Sequence, residues 1–164
     1  INYIISNDMS FSDLPDENYD VSINLGGFHH IEDQAQFLKG VMKKIKKGGL
    51  ICIGDFADHS PVQRYFDERI HHLTETGHMG LFASESTMVN LGRICGASSV
   101  IIERKKVPFI FHSEQEIGEF FRLVHDLNQT TSESYQEIND LFEIQKKGDE
   151  LHVMMDYIYA CFKK

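Results

Sequence analysis

Tyr19–Phe56 reads YDVSINLGGFHHIEDQAQFLKGVMKKIKKGGLICIGDF, and this stretch decides the fold of the chain. It opens with a short apolar run, Val21–Leu25, which predicts a strand that a polar loop ends at Gly26. A segment of helical periodicity follows, and after Gly48–Gly49 comes a fully apolar run, Leu50–Ile53. Such a run is typical of a parallel strand that is covered on both faces. The stretch therefore predicts one strand–helix–strand unit.

The middle of this stretch predicts a helix from Glu32 to Lys47. Its apolar residues recur every three or four positions and form one stripe, which consists of Phe37, Leu38, Val41, Met42 and Ile45. Acidic side chains lie at the start of the segment and lysines at its end, where each complements the helix dipole. We expect Gly48–Gly49 to end the helix, because glycine readily adopts the left-handed conformation of a helix cap.

Beyond this unit, strand and helix patterns continue to alternate. Capping residues predict helices that begin after Ser60 and after Ser113. The other elements are predicted strands over Asn2–Ser6, Ser99–Glu103 and Leu151–Phe162, and predicted helices over Ser84–Cys95 and Thr131–Lys147. We expect Gly96 to stop the first of these helices and Gly148 the second. This alternation predicts an α/β fold with a mostly parallel sheet. A chain of 164 residues without a long linker predicts a single domain.

The composition narrows the classes of partner. Hydrophobic residues make up 41% of the chain and charged residues 25%, as in an ordinary globular protein. The formal net charge of −9 argues against a nucleic-acid-binding protein, because such a protein needs a basic face for the phosphates. No apolar run is long enough to span a bilayer, and no signal peptide is recognisable. We therefore expect neither nucleic acid nor a membrane as a partner.

The cysteine pattern favours a reducing compartment. Cys52, Cys95 and Cys161 are odd in number, widely spaced and embedded in apolar runs. None of them forms a CxxC motif, which would indicate a metal or redox site. Reduced thiols in a cytoplasmic protein fit this pattern best.

Four segments of the chain resemble the S-adenosylmethionine-dependent class I methyltransferases of the small-molecule type. They are YIISNDMSFSDLPDENYD (Tyr3–Asp20), NLGGFHHIED (Asn24–Asp33), FLKGVMKKIKKGGLICIGDF (Phe37–Phe56) and LHVMMDYIYACFKK (Leu151–Lys164). In order and spacing they resemble the part of that domain from its third strand to its last. The resemblance implies a Rossmann-like sheet, mostly parallel, with a C-terminal antiparallel hairpin. It also implies helical lid segments around residues 60–95 and 113–147.

The resemblance implies S-adenosylmethionine as the cofactor. Asp8 would accept a hydrogen bond from the adenine amino group, with Met9 against the ring. Asn24, Leu25 and Gly26 would line the methionine end. The residues themselves are consistent with this, since open α/β sheets bind ligands at the carboxyl ends of their strands, and a glycine there lets a ligand approach the backbone. The alternative for each is an ordinary strand-ending turn.

Further residues are candidates for the substrate side of the site. His29 could serve as a general base, since imidazole titrates near neutral pH. Phe28 and His30 are candidate substrate contacts, although the histidine that is not the base could instead pack against or cap the following helix. The alternative is that both histidines are structural. Asp55 could orient substrate or base, or it could cap the next helix. Tyr65 could contact substrate from a lid, although an aromatic stripe is more often core. No histidine spacing matches a familiar metal-ligand set, so we expect no metal.

Two features of the resembled family are not found in this sequence. They are the glycine-rich turn after its first strand and the acidic residue after its second. In that family these two strands lie between the third and the fourth, so Val21–Leu25 would expose an apolar edge without them. We therefore expect the missing half of the domain on another segment of the parent protein or on a partner chain.

Three functions remain open from the sequence. The first is an enzyme that transfers a methyl group to a small-molecule acceptor. The second is a methyltransferase-like interaction module without catalysis, which the missing glycine-rich turn favours. The third is an enzyme of the same fold that catalyses a different reaction, such as a cyclisation. The sequence does not identify the acceptor.

Overall fold

The computed structural model of the protein describes residues 8–74, 77 and 80–164. Within them the elements are, in chain order, β1 (Tyr19–Leu25), a 3₁₀ turn (Phe28–His30), α1 (Gln34–Lys44), β2 (Ile45–Phe56), α2 (Pro61–Tyr65), a π-helical turn (Phe66–Ile70), α3 (His71–Leu73), α4 (Glu85–Cys95), β3 (Ser99–Phe111), α5 (Glu114–Val124), α6 (Thr131–Leu141), β4 (Ile144–Lys147) and β5 (Glu150–Lys163). The strand predicted at Asn2–Ser6 lies outside the described residues.

The strands form one mixed sheet in the order β1-β2-β5-β3, with β4 also paired to β5. β1 and β2 run parallel, so the predicted strand–helix–strand unit is confirmed. β4 and β5 run antiparallel, with Ile144 opposite Val153, so the chain ends in an antiparallel hairpin whose first strand was not predicted. The protein is therefore an α/β protein with both parallel and antiparallel strand pairs.

Local capping signals correctly predicted where several helices begin and end. The hydroxyl oxygen of Ser60 accepts from the backbone N–H of Gln63 at 3.2 Å, and Pro61 occupies the first helical turn. Ser84 and Ser113 cap α4 and α5 in the same way. α4 stops at Gly96, which has a φ of 79° in the left-handed region. These starts need only residues a few positions apart, so the sequence reveals them.

The helix predicted from Glu32 to Lys47 is shorter than expected. Asp33 caps it by accepting from the N–H of Gln36 at 2.8 Å, and its last residue is Lys44. β2 begins at the next residue, Ile45, because that residue pairs with β1. The glycines therefore do not cap the helix; Gly48, with a φ of 83°, lies within β2 where the register with β1 shifts. The pairing of β2 with β1 therefore ends the helix earlier than its sequence pattern predicts.

The helix predicted from Thr131 to Lys147 is also too long. α6 ends at Leu141, and the chain becomes extended at Phe142. The remaining residues form β4, whose backbone groups pair with β5. Gly148, with a φ of 62°, is thus the hairpin turn between two strands and not a helix stop. The conformation of residues 142–147 thus depends on their pairing with β5, which follows later in the chain.

The chain divides into two compact units. The first contains the described residues up to Asp55 together with Ala83–Glu103 and Ile158–Lys164, and the second contains Phe56–Phe82 and Arg104–Tyr157. In the first, α1 packs against α4. Its buried apolar residues include Leu38, Ile51, Ile53, Met88, Ile158 and Phe162. Within the described part of the chain, no helix is long and apolar enough to cross a bilayer.

The second unit is built around the contact between α5 and α6. Ile117 and Ile138 are fully buried there, in a core rich in aromatic residues. Gly118 allows the two helices to approach closely, since a methyl group built on it would lie 2.1 Å from the carbonyl oxygen of Thr131. The close approach of the backbones thus depends on the absence of one side chain.

Candidate functional site

The carboxyl ends of β1 and β2 meet at one edge of the first unit. Leu25 lies opposite Gly54, and the N–H of Gly26 donates to the carbonyl of Gly54 at 2.8 Å. The polar turn after β1 and the last residues of β2 are thereby brought together. In open α/β sheets this edge is where ligands bind, which makes it the candidate site.

An aspartate and a histidine form the centre of this edge. The carboxylate of Asp55 accepts from the backbone N–H of His29 at 2.8 Å and lies 2.7 Å from the Nδ1 atom of the same residue. His29 is only 4% exposed and Asp55 only 2%. Because a carboxylate can only accept, we assign the ring proton to Nδ1. The basic atom of neutral His29 is then Nε2.

The short turn that carries His29 is held by its neighbours on both sides. Phe28 is buried and its ring packs edge-on against Phe37 of α1 at 6.1 Å. The side-chain amide of Gln34 donates to the carbonyl of Phe28 at 3.2 Å. Sequence reasoning missed Gln34, although an amide in the first turn of a helix that follows such a loop is a usable signal. The turn is therefore fixed by packing and by a hydrogen bond.

The two adjacent histidines have different environments. His29 points inward, whereas His30 is exposed, and their ring centroids are 4.1 Å apart. Partial burial is the larger of two effects that lower the pKa of His30, and the neighbouring His29 is the other. Asp55 acts in the opposite direction on the same pKa. His30 is therefore favoured in its neutral form near neutral pH.

A polar atom and open space lie at the end of β1. The Oδ1 atom of Asn24 is buried and accepts no hydrogen bond from any residue that the structure describes. A methyl group built on either Gly26 or Gly27 would meet nothing within 4 Å. Buried acceptors are usually paired, so an acceptor without a partner among the described residues suits a ligand with a hydrogen-bond donor.

Asp8 and Met9 lie on the segment before β1. Asp8 is exposed and accepts from the N–H of Ser10 at 2.6 Å, from the Ser10 hydroxyl, and from the Ser12 hydroxyl at 2.9 Å. The hydrogen bonds from Ser10 and Ser12 lower the pKa of Asp8 to about 2. The carbonyl of Met9 lies against Gly40 of α1. The carboxylate of Asp8 thus stays ionised and organises a local turn.

Tyr65 lies in the second unit. It is 1% exposed, and its ring packs edge-on against Phe121 and Phe142. Its hydroxyl is buried without a hydrogen-bond partner among the residues described, and burial raises its pKa. The structure thus places this residue in an apolar core, and its predicted contact with substrate remains a prediction.

The chain is similar to a known protein family in part of its sequence and to known proteins in structure. Residues 1–53 match the family described as the methyltransferase domain. The YcgJ protein of Bacillus subtilis has a TM-score of 0.65 at 14% identity, over 95% of this chain and 68% of that one. An S-adenosylmethionine-dependent methyltransferase of Thermotoga maritima has a TM-score of 0.61 at 13% identity, over 99% and 64% of the two chains. The chain has the class I methyltransferase fold.

This methyltransferase fold is not restricted to one reaction. The [4+2]-cyclase SpnF also shares it, with a TM-score of 0.53 at 11% identity over 96% of this chain and 54% of that one. No curated protein matches the chain in sequence. At such identities the likeness establishes the fold alone. The chain spans about two thirds of the two structures named first.

The described part of this methyltransferase fold contains no group of three or more histidine, cysteine, aspartate or glutamate residues that could hold a metal ion. Of the residues predicted for the site, the structure brings Gly26, His29 and Asp55 together at the edge formed by β1 and β2. His30 and Phe28 belong to the same short turn. Asp8 and Met9 belong to a neighbouring segment that contacts α1.

The titration of His30 tests the electrostatics of the candidate site. We expect its imidazole to titrate below 6.5, the ordinary value, and His29→Gln to move the midpoint upward because a like charge is removed. The midpoint can be followed by NMR from the ring Cε1–H resonance. Replacing the exposed His59 serves as a control that should leave it unchanged. A midpoint of His30 at or above the ordinary value would contradict this reading.

Proposed function

We propose that the protein takes part in S-adenosylmethionine-dependent methyl transfer to a small-molecule acceptor. The observation that carries the proposal is the buried pair of His29 and Asp55 at the ligand edge of a methyltransferase fold. An imidazole oriented by a carboxylate is the usual arrangement of a general base. Methyl transfer to a hydroxyl or an acidic carbon needs a base of this kind.

The residues at the end of β1 fit the cofactor. The acceptor atom of Asn24 lacks a partner among the described residues, and Gly26 leaves open space beside the backbone. We propose that Asn24, Leu25 and Gly26 hold the methionine end, and that Asp8 and Met9 contact the adenine. When bound, S-adenosylmethionine supplies a methyl group that is already activated by its sulfonium.

The chain's own residues would then bind and deprotonate the acceptor. We propose that Nε2 of His29 removes a proton from the acceptor, while Asp55 keeps the ring oriented through Nδ1. The exposed ring of His30 and the neighbouring Phe28 contact the acceptor. Alignment and exclusion of water supply the rest of the rate enhancement. Tyr65 is kept as a proposed substrate contact.

The exposed apolar side chains of β1 support the proposal that a further strand pairs with it. Ile23 is 67% exposed and Leu25 70%, which is unusual for apolar strand residues. An apolar cavity of about 270 Å³ lies beside this strand, lined in part by Phe11, Val21 and Phe37. We propose that further strands of the sheet pair with β1 and complete a mostly parallel sheet. They would come from another segment of the protein or from a partner chain.

A second function is kept because of one observation, the shared fold of the cyclase SpnF. A protein of this fold could bind the same cofactor and use His29 as a base in a reaction without methyl transfer. A non-catalytic interaction module is the remaining alternative. Both differ from the proposed function in producing no S-adenosylhomocysteine.

Calorimetric titration of the full-length protein with S-adenosylhomocysteine tests the cofactor assignment. We expect saturable binding, and we expect Asn24→Leu to weaken it by about 3–10-fold, the value of one hydrogen bond. Asp20→Asn is the matched control, since Asp20 is an exposed residue of the same strand, paired with Lys46. Absence of heat at high ligand concentration would remove the methyltransferase assignment. Binding without product release would favour the second function.

A further inference from the structure

Two cysteines that are 109 positions apart in sequence lie side by side in the first unit. The sulfur atoms of Cys52 and Cys161 are 2.8 Å apart, close enough for a hydrogen bond between the thiols. Cys52 lies on β2 and Cys161 on β5, and these strands are neighbours in the sheet. Both residues are free thiols and are partly exposed to solvent.

The pairing of the two strands places these cysteines directly opposite each other. The N–H of Lys164 donates to the carbonyl of Gly49 at 3.0 Å, and the ring of Tyr159 lies next to Gly54. β2 therefore runs antiparallel to β5, and the cysteines form a cross-strand pair three residues from the pair of Gly49 and Lys164. Along an antiparallel pair of strands, hydrogen-bonded and non-hydrogen-bonded residue pairs alternate. Three positions from a hydrogen-bonded pair, the two cysteines therefore form a non-hydrogen-bonded pair, in which Cα atoms are about 4.5 Å apart. Disulfides span Cα separations of about 4.4–6.8 Å.

We propose that Cys52 and Cys161 form a redox-active dithiol that closes into an intramolecular disulfide. The oxidant is a low-molecular-weight disulfide such as glutathione disulfide. The two thiols lose two protons and two electrons as the sulfur–sulfur bond forms, and the oxidant is reduced to two thiols. The reaction passes through a mixed disulfide on one cysteine, which the second cysteine then displaces.

The resting form of this pair is the dithiol. Burial is the main cause that raises the pKa of Cys52 to about 11, and the hydrogen bond between the two thiols acts in the same direction. Because the thiolate is the attacking species, the pair reacts slowly at neutral pH. Once formed, the bond would join β5 to β2, the strand that carries Asp55 three residues after Cys52. This inference does not depend on the proposed function.

The third cysteine provides a matched control. Cys95 belongs to α4, where its thiol donates to the carbonyl of Gly92 at 3.4 Å. Like the other two, it is partly exposed. Reactivity that depended only on the presence of a thiol would include this residue, whereas the proposed disulfide would not.

The experiment equilibrates the full-length protein in glutathione buffers of increasing oxidised fraction. The remaining thiols are then alkylated and counted by intact mass. We expect the wild type to pass from three alkylated cysteines to one, with the loss of two hydrogen atoms and no bound glutathione. Cys95→Ser should pass from two to none. Peptide mapping should identify one cross-linked peptide that contains Cys52 and Cys161.

Single cysteine variants and urea unfolding test whether the disulfide forms between Cys52 and Cys161. Cys52→Ser and Cys161→Ser should form no internal disulfide at any buffer composition. Oxidation should shift the urea unfolding midpoint upward in Cys95→Ser and leave it unchanged in Cys161→Ser, since only the former closes a loop between distant residues. The proposal is overturned if Cys52 and Cys161 are still alkylated in the most oxidising buffer. It is also overturned if stable mixed disulfides with glutathione replace the internal bond.

Discussion

Gly118→Ala will destabilise the protein, although alanine is the better helix former. The added methyl group would lie 2.1 Å from the carbonyl oxygen of Thr131 in α6. A backbone oxygen cannot rotate away as a side chain could, so α5 and α6 must separate and loosen the core around Ile117. Overpacking costs about 1–3 kcal/mol, or more, against about 1 kcal/mol gained in helix propensity. We expect a net loss of up to about 2 kcal/mol in the free energy of unfolding.

Urea unfolding followed by circular dichroism measures this loss. Glu119→Ala is the matched control, because Glu119 is the exposed neighbour of Gly118 on the same helix. The control should change the free energy of unfolding by only a few tenths of a kcal/mol. If Gly118→Ala stabilised the protein, helix propensity would dominate and the close approach of α5 and α6 would be wrong.

Asp55→Asn will abolish most of the turnover while leaving the protein folded. The carboxylate accepts from both the backbone N–H and Nδ1 of His29, but an amide has only one accepting atom. If the amide oxygen keeps the backbone N–H, its NH₂ group faces Nδ1. The imidazole must then accept at Nδ1 and carry its proton on Nε2. The proposed basic atom is lost although every residue remains in place.

We expect turnover to fall by about 10²–10⁴-fold, the range for loss of a general base or of its correct tautomer. The free energy of unfolding should fall by no more than about 1–3 kcal/mol. Turnover is measured as S-adenosylhomocysteine release with an acceptor found by screening small molecules, and ¹⁵N NMR of the His29 ring reports the tautomer. Asp20→Asn, on the exposed face of β1, is the control that should leave both unchanged.

Comparison of two histidine variants assigns the base. If His29 is the base, His29→Gln should match Asp55→Asn in turnover, while His30→Gln should mainly raise KM. The reverse pattern would transfer the role to His30, which is exposed and favoured in its neutral form. Full turnover in His29→Gln would remove His29 as base and leave the fold assignment intact.

The errors in the predicted elements share one physical cause. Ile45 has the apolar character of the helix stripe that precedes it, and Phe142 and Ile144 continue the apolar pattern of α6. In both places the backbone leaves the helix because a strand elsewhere in the chain satisfies its hydrogen bonds. Periodicity in one segment contains no information about that partner.

Part of the candidate site was predictable from the sequence, and the rest depended on a contact between distant segments. Strand ends carry ligands in open sheets, so Asn24, Gly26 and Asp55 could be selected from their position after apolar runs. Which of the two adjacent histidines turns inward could not, because the choice depends on the position of Asp55, 26 residues further along. The role of Asp55 was open between orienting a base and capping a helix, and the structure shows it bonded to His29.

The sequence by itself determined the alternation of helices and strands, the capped helix starts at Ser60, Ser84 and Ser113, and the left-handed stop at Gly96. Each of these depends on hydrogen bonds and side-chain spacing within about four residues of the chain. The tertiary structure alone decided that Asp55 holds His29 and that Cys52 lies against Cys161. Those contacts exist only because the pairing of strands brings distant residues together, and the register of a sheet is a property of two segments at once.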